Sequence, residues 1–197
     1  MKKIQMLILS LICLAAIPAN AQLLKPNCGL EWGTGTNIYS AHRYNYISSL
    51  GYRTSEYEHG ADFYLNAEIL LRAGVQIGRK FNVSICSGYM GIAEDFRTVP
   101  VLGMVDFHFK GVMEDGVYVS LNVGKGFVQP CSLALAGVGY RTMIGRSSSI
   151  DFALKIRETF SRPVIRDIED GQPVPENRIR RNIATYSALN ISISLNF

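Results

Sequence analysis

No stretch of this sequence is apolar for long enough to cross a bilayer as a helix, which takes roughly 18–20 residues. The longest apolar run, Ile4 to Ile17, is broken by Gln5 and Ser10. Charge is scarce too: Asp, Glu, Lys and Arg make up 18% of the chain, against about 25% in ordinary soluble domains. There is one Trp, no C-x-x-C, and the 3 His (His42, His59, His108) stand far apart without H-x-x-x-H spacing. That excludes the usual local zinc motifs, and no metal, cofactor or catalytic set is expected. The formal net charge is only +4, which gives no footing for a nucleic-acid partner.

The first residues have the form of a secretory signal. Lys2 and Lys3 precede the apolar run, and Ala19-Asn20-Ala21 supplies an A-x-A cleavage site. Residues 1–21 are therefore expected to be a signal peptide and 22–197 one mature domain. The run is short for a membrane anchor, and cleavage removes Cys13 as well as two positive charges. Cys28, Cys86 and Cys131 remain, an odd number that leaves at least one thiol unpaired.

What the chain does have is 18 Gly, 10 Tyr, 9 Phe and an alternation of period 2 that recurs throughout. Phe63, Leu65, Ala67, Ile69, Leu71, Ala73, Val75 and Ile77 share one face. Asn66, Glu68, Arg72 and Gln76 fall on the other. The same pattern marks Phe81–Tyr89, Val99–Phe109, Val117–Val123, Ile150–Ile156 and Leu189–Phe197. Eight strands are predicted, at 28–39, 62–77, 81–93, 98–110, 116–127, 131–143, 149–160 and 184–197. In 131–143 the phase slips after Leu135, as at a bulge near Gly137.

Connections after the second, fourth and sixth strands are tight. Those after the first and seventh are long, at residues 40–61 and 161–183. Strand length, alternation and loop asymmetry predict an all-β fold: an eight-stranded antiparallel up-and-down transmembrane β-barrel in a bacterial outer membrane, with both termini periplasmic. A soluble lipocalin-like barrel or sandwich is the competing fold. The small residues opposite the apolar face suit a narrow filled lumen better than a soluble core.

With the apolar faces outward, the lumen receives Glu31, Glu68, Arg72, Asp106, His108, Lys110, Asp151, Lys155 and Arg157. Opposite charges there must pair, because an isolated one in a dry interior is very costly. A barrel of this size is just wide enough to be filled by side chains, so the expectation is a plugged lumen; a small pore is the alternative. His108 lies two residues from Asp106, but no Ser is tied to them by spacing and no H-x-S-N pattern occurs. An enzyme, such as a lipid-modifying one, is the less favoured reading.

Loops on a rigid scaffold usually carry binding. Loop 40–61 offers Arg43, Tyr44, Tyr46, Tyr52 and Tyr57 as contact residues, or as interfacial rings like Tyr39 and Tyr64. Loop 161–183 offers Arg178, Arg180 and Arg181, whose guanidinium groups suit the phosphates of lipopolysaccharide. Outer-membrane lipid and an extracellular ligand of unknown nature are the expected partners. Cys28, Cys86 and Cys131 map to different depths, so no disulfide is expected.

The segments "ILLRAGVQIGRKFNVSICSGYMGI", "TVPVLGMVDFHFKG", "VYVSLNVGKGF", "LALAGVGYRTM" and "ISISLNF" resemble the small outer-membrane β-barrel proteins of Bacteroidetes, in the broad OmpA/OmpX-like eight-stranded class. That resemblance implies a structural, adhesive or ligand-contact role in the cell envelope. Phe197 at the end of an alternating strand is similar to the signal by which the outer-membrane insertion machinery recognises its clients. The stretch "LLKPNCGLE" resembles TraO-type conjugation proteins, a further possibility for the role.

Overall fold

The computed structural model describes residues 24–61 and 63–197; the expected signal peptide lies outside them. The described chain forms ten strands in one antiparallel sheet: β1 (Leu24–Ile47), β2 (Arg53–Gly60), β3 (Leu65–Ile77), β4 (Phe81–Ala93), β5 (Phe96–Thr98), β6 (Pro100–His108), β7 (Gly116–Gly126), β8 (Cys131–Met143), β9 (Ser149–Ser161) and β10 (Ile179–Asn196). The sheet closes on itself. Its circuit runs β1–β3–β4–β6–β7–β8–β9–β10 and returns to β1, while β2 and β5 hang off it. Closure leaves no unpaired edge around the circuit.

Side-chain polarity in this ring is inverted relative to a soluble barrel. Along β3, Leu65, Ile69 and Leu71 are exposed, whereas Asn66, Glu68 and Arg72 are buried in the lumen. The outer wall carries Trp32, Ile85, Leu121, Phe152, Ile156 and Ile191 in a continuous apolar belt. Burying apolar surface gains about 25 cal/mol per Å², and the exposed outer wall leaves that gain unrealised within the chain.

The ten strands differ from the predicted eight in two places. Pro100, lacking an N–H, interrupts the predicted strand 98–110. The piece before it, β5, pairs with the far end of β4, and β6 pairs with the near end. The predicted loop 40–61 is mostly a hairpin. β1 runs on to Ile47 and pairs with β2 from Ser40↔Gly60 to Ile47↔Arg53. β10 likewise starts at Ile179 rather than 184 and follows β1 up to Tyr46↔Ile179. Alternation continues past Ser40 in His42, Tyr44 and Tyr46, so the strand has no reason to stop there.

The predicted bulge near Gly137 is absent. β8 keeps unbroken register with both β7 and β9 through Gly137. The register shifts of the β1–β10 seam fall instead at Asn37/Tyr39 and Asn45/Tyr46. Without a slip in β8, Leu133 and Leu135 point into the lumen and are buried.

One end of the ring carries the tight turns 78–80, 109–115 and 144–148. Gly78 adopts φ +64° in the first of them, a conformation that glycine reaches at no steric cost. Cys28 and Phe197 exchange backbone hydrogen bonds at this same end (Phe197 N to Cys28 O, 2.8 Å). The hairpin β1–β2 and the segment 162–178 crown the opposite, long-loop end.

Candidate functional site

The lumen is charged on one side and apolar on the other. Four acids (Glu31, Glu68, Asp106, Asp151) and four bases (Arg72, Arg141, Lys155, Arg157) are buried there. They stack in tiers. At the tight-turn end, Arg141 grips Asp151 with both arms, Nε to Oδ1 at 2.8 Å and Nη2 to Oδ2 at 2.6 Å. Arg72 lies 3.5 Å from Asp106 and 3.8 Å from Asp151, and it donates to Asn196. Midway, Lys155 donates to Glu31, which also accepts from Ser194 Oγ at 3.3 Å. Towards the long-loop end, Asn190 donates to Glu68 at 2.8 Å, and Arg157 Nη1 lies 3.9 Å from Glu68. Arg157 also donates to Gly91 O at 3.0 Å.

The other side is a cluster of Leu70, Cys86, Met90, Ile92, Leu102, Met104, Leu133 and Leu135. It fills the space that the charged tiers leave. Both ends are stoppered. Asn37 and Asn66 both donate to Ile92 O, at 2.7 and 3.0 Å. At the tight-turn end Val112 is buried, and its carbonyl accepts from Arg141 at 2.8 Å. The cleft beside that stopper holds about 70 Å³, the space of a few waters.

Eight of the nine predicted lumen residues are buried in the ring: Glu31, Glu68, Arg72, Asp106, His108, Asp151, Lys155 and Arg157. Lys110 is not. Strand β6 ends at His108, so alternation stops mapping onto the lumen there, and Lys110 is exposed in the following turn. Arg141 holds the fourth positive charge. It was concealed in the sequence by the apparent phase slip, and an unbroken count from Cys131 finds it. His108 stacks on Tyr118, with centroids 5.0 Å apart. Among the described residues no group of three or more His, Cys, Asp or Glu is placed to hold a metal.

The predicted contact residues converge on an ordered platform at the long-loop end. Tyr46 is a correction: it is buried with Ile165 and Val174 as the core of that platform and is not a contact surface. Its hydroxyl accepts from Ile168 N at 3.0 Å. Asp167, also buried, accepts from Ser49 N at 2.6 Å and so ties the 165–174 hairpin to the β1–β2 turn. Gly171 turns that hairpin with φ +69°. Tyr44 donates to Glu56 and lies 3.2 Å from Glu58. The Glu56 bond pushes its phenol above the usual range, so it stays protonated. The Arg43 guanidinium sits 4.8 Å over the Tyr57 ring, a favourable cation–π distance. Tyr52, Arg178, Arg180 and Arg181 all lie exposed on the outside of this end. Phe197 is exposed at the opposite end.

Replacing Asp167 by Ala should unfasten this platform without opening the ring. Limited digestion with a Glu-specific protease is expected to cut faster after Glu169, while the thermal transition of the barrel stays put. Equal cleavage rates would show that Asp167 does not hold the hairpin.

No known family model matches this chain, and no curated protein does. Among solved structures it is similar to Neisserial surface protein A, at 12% identity and a TM-score of 0.30. That match covers 82% of this chain and 95% of the other. The fold here rests on the strand pairings themselves.

Proposed function

We propose that the chain is a bacterial outer-membrane barrel of eight circuit strands. Both termini face the periplasm, and the β1–β2 platform and segment 162–178 lie outside the cell. The observation that carries this reading is the inverted wall, apolar outside and charged inside, on a closed antiparallel ring. Hydrocarbon around the belt removes the cost of exposing it, and closure satisfies every backbone group that hydrocarbon cannot. The lumen is a structural plug, not a conduit: charges pair between non-adjacent strands, and polar contacts at both ends support closure there. The protein is not an enzyme. It acts in envelope integrity, or in adhesion and ligand contact, through the platform carrying Arg43, Tyr44, Tyr52 and Tyr57.

Membrane fractionation combined with heat-modifiable gel migration tests the location and the fold. The protein should sediment with outer membranes and shift on boiling; a protein that stays soluble without detergent and shows no shift is not this barrel. In planar bilayers it should give no large, steady conductance. A stable open channel would discard the plugged lumen in favour of a small pore.

A further inference from the structure

Two troughs lie side by side at the long-loop end, on the wall around β7–β10. One, of about 590 Å³, is lined by Lys125, Ser132, Phe160, Arg162 and Ile183 among others. The other, of about 430 Å³, is lined by Arg162, Arg180, Arg181 and Ile183 among others. They share Arg162 and Ile183 and so form one surface. Pairing places Lys125, Ser132 and Phe160 in a single row across β7, β8 and β9. Phe160 and Ile183 are exposed members of the apolar belt. The cations therefore sit where that belt ends.

Four cations line the combined surface against one carboxylate, Glu176. None of Lys125, Arg162, Arg180 or Arg181 makes a side-chain hydrogen bond or ion pair among the described residues. Contrast the lumen, where Arg72, Arg141, Lys155 and Arg157 all face carboxylates. Glu158 is one step deeper on the same wall and already accepts from Ser187 Oγ at 2.9 Å. A zwitterionic headgroup would leave most of this positive charge unanswered. A headgroup with two or more phosphates would answer it, with its acyl chains lying along Phe160 and Ile183. Arg in particular suits phosphate, because its fork donates two parallel bonds.

We infer that the surface formed by Lys125, Arg162, Arg180, Arg181, Phe160 and Ile183 binds a multiply phosphorylated lipid headgroup of the outer leaflet. This rests on the outer-membrane reading above. The test uses full-length mature protein folded in detergent micelles. Retention of bisphosphorylated lipid A is measured by native mass spectrometry against the same lipid stripped of its phosphates. The wild type should retain the phosphorylated form at least about tenfold better. The Lys125→Gln/Arg162→Gln/Arg181→Gln variant should lose that preference while keeping its heat-modifiable band. Equal retention of the two lipids by the wild type, or undiminished preference in the variant, overturns the inference. So does displacement of the lipid by millimolar inorganic phosphate, which would mark a soluble-anion site. A protein with no heat-modifiable band at all would instead refute the barrel reading.

Discussion

Replacing Lys155 by Met lowers the stability of the folded barrel by about 3–5 kcal/mol, read as a lower urea midpoint in lipid vesicles. The variant removes the partner that donates to Glu31 and leaves that carboxylate buried with Ser194 as its remaining donor. Losing one partner of a buried pair costs on this scale because the survivor is an uncompensated charge in a poorly solvating interior. The double variant Glu31→Gln/Lys155→Met should regain most of the loss. If the single and double variants unfold together, the pair is not the unit that matters, and the charged tiers would have to be read as water-screened. That outcome would also weaken the plugged-lumen proposal, since a wet lumen screens charges that a filled one cannot.

The second large effect is steric. Gly124→Val should block assembly or cost about 3 kcal/mol or more. A Cβ at Gly124 would overlap the carbonyl oxygen of Val101 and come within 2.8 Å of Leu102 Cα. Both are backbone atoms of β6, which pairs with β7 at Leu102↔Gly124. Relief would require the two strands to part, breaking ladder bonds that nothing else could satisfy on the proposed membrane-facing wall. Gly103→Val is the matched control. It sits on the same ladder but faces out, and its Cβ would meet nothing nearer than Val123 O at 3.8 Å. It should fold normally and add apolar surface to the belt. Gel shift on boiling distinguishes the two, and equal behaviour would show that the inner wall has slack.

Much of this architecture was legible in the sequence because period 2 is unforgiving. Once Ile69 and Leu71 are set against Glu68 and Arg72, one register places a whole strand. That logic alone located most of the buried charges. It failed where the polarity of a face changes. Leu133 and Leu135 are apolar residues on the inner face, so the letters alone look like a slip at Gly137 where the strand has none. The error then hid Arg141, the residue that holds Asp151 with two bonds. Nothing local reveals that Leu70, Leu102 and Leu135, from three different strands, meet in one lumen cluster. Lys110 went wrong at a strand end, where alternation persists in letters after the strand itself has turned. Tyr46 went wrong because an aromatic in a polar segment looks like a contact residue. Only Ile165 and Val174, far along the chain, bury it.

The seam between β1 and β10 has a consequence in time. Every other ladder of the circuit joins strands that follow one another along it, as β8 and β9 do across 144–148. The seam alone joins the first strand to the last, from Gly29↔Asn196 up to Tyr46↔Ile179. Hairpins form locally and fast, whereas a pairing between remote segments must first overcome the entropy of closing the loop between them. The nearest-neighbour ladders can therefore be laid down as an open, curved sheet well before the ring exists. Closure is the late event, and it engages the Glu31–Lys155 and Arg72–Asn196 bonds along with the seam. Until that moment the charged interior has an open side, and the last strand waits for a partner that was the first to be made.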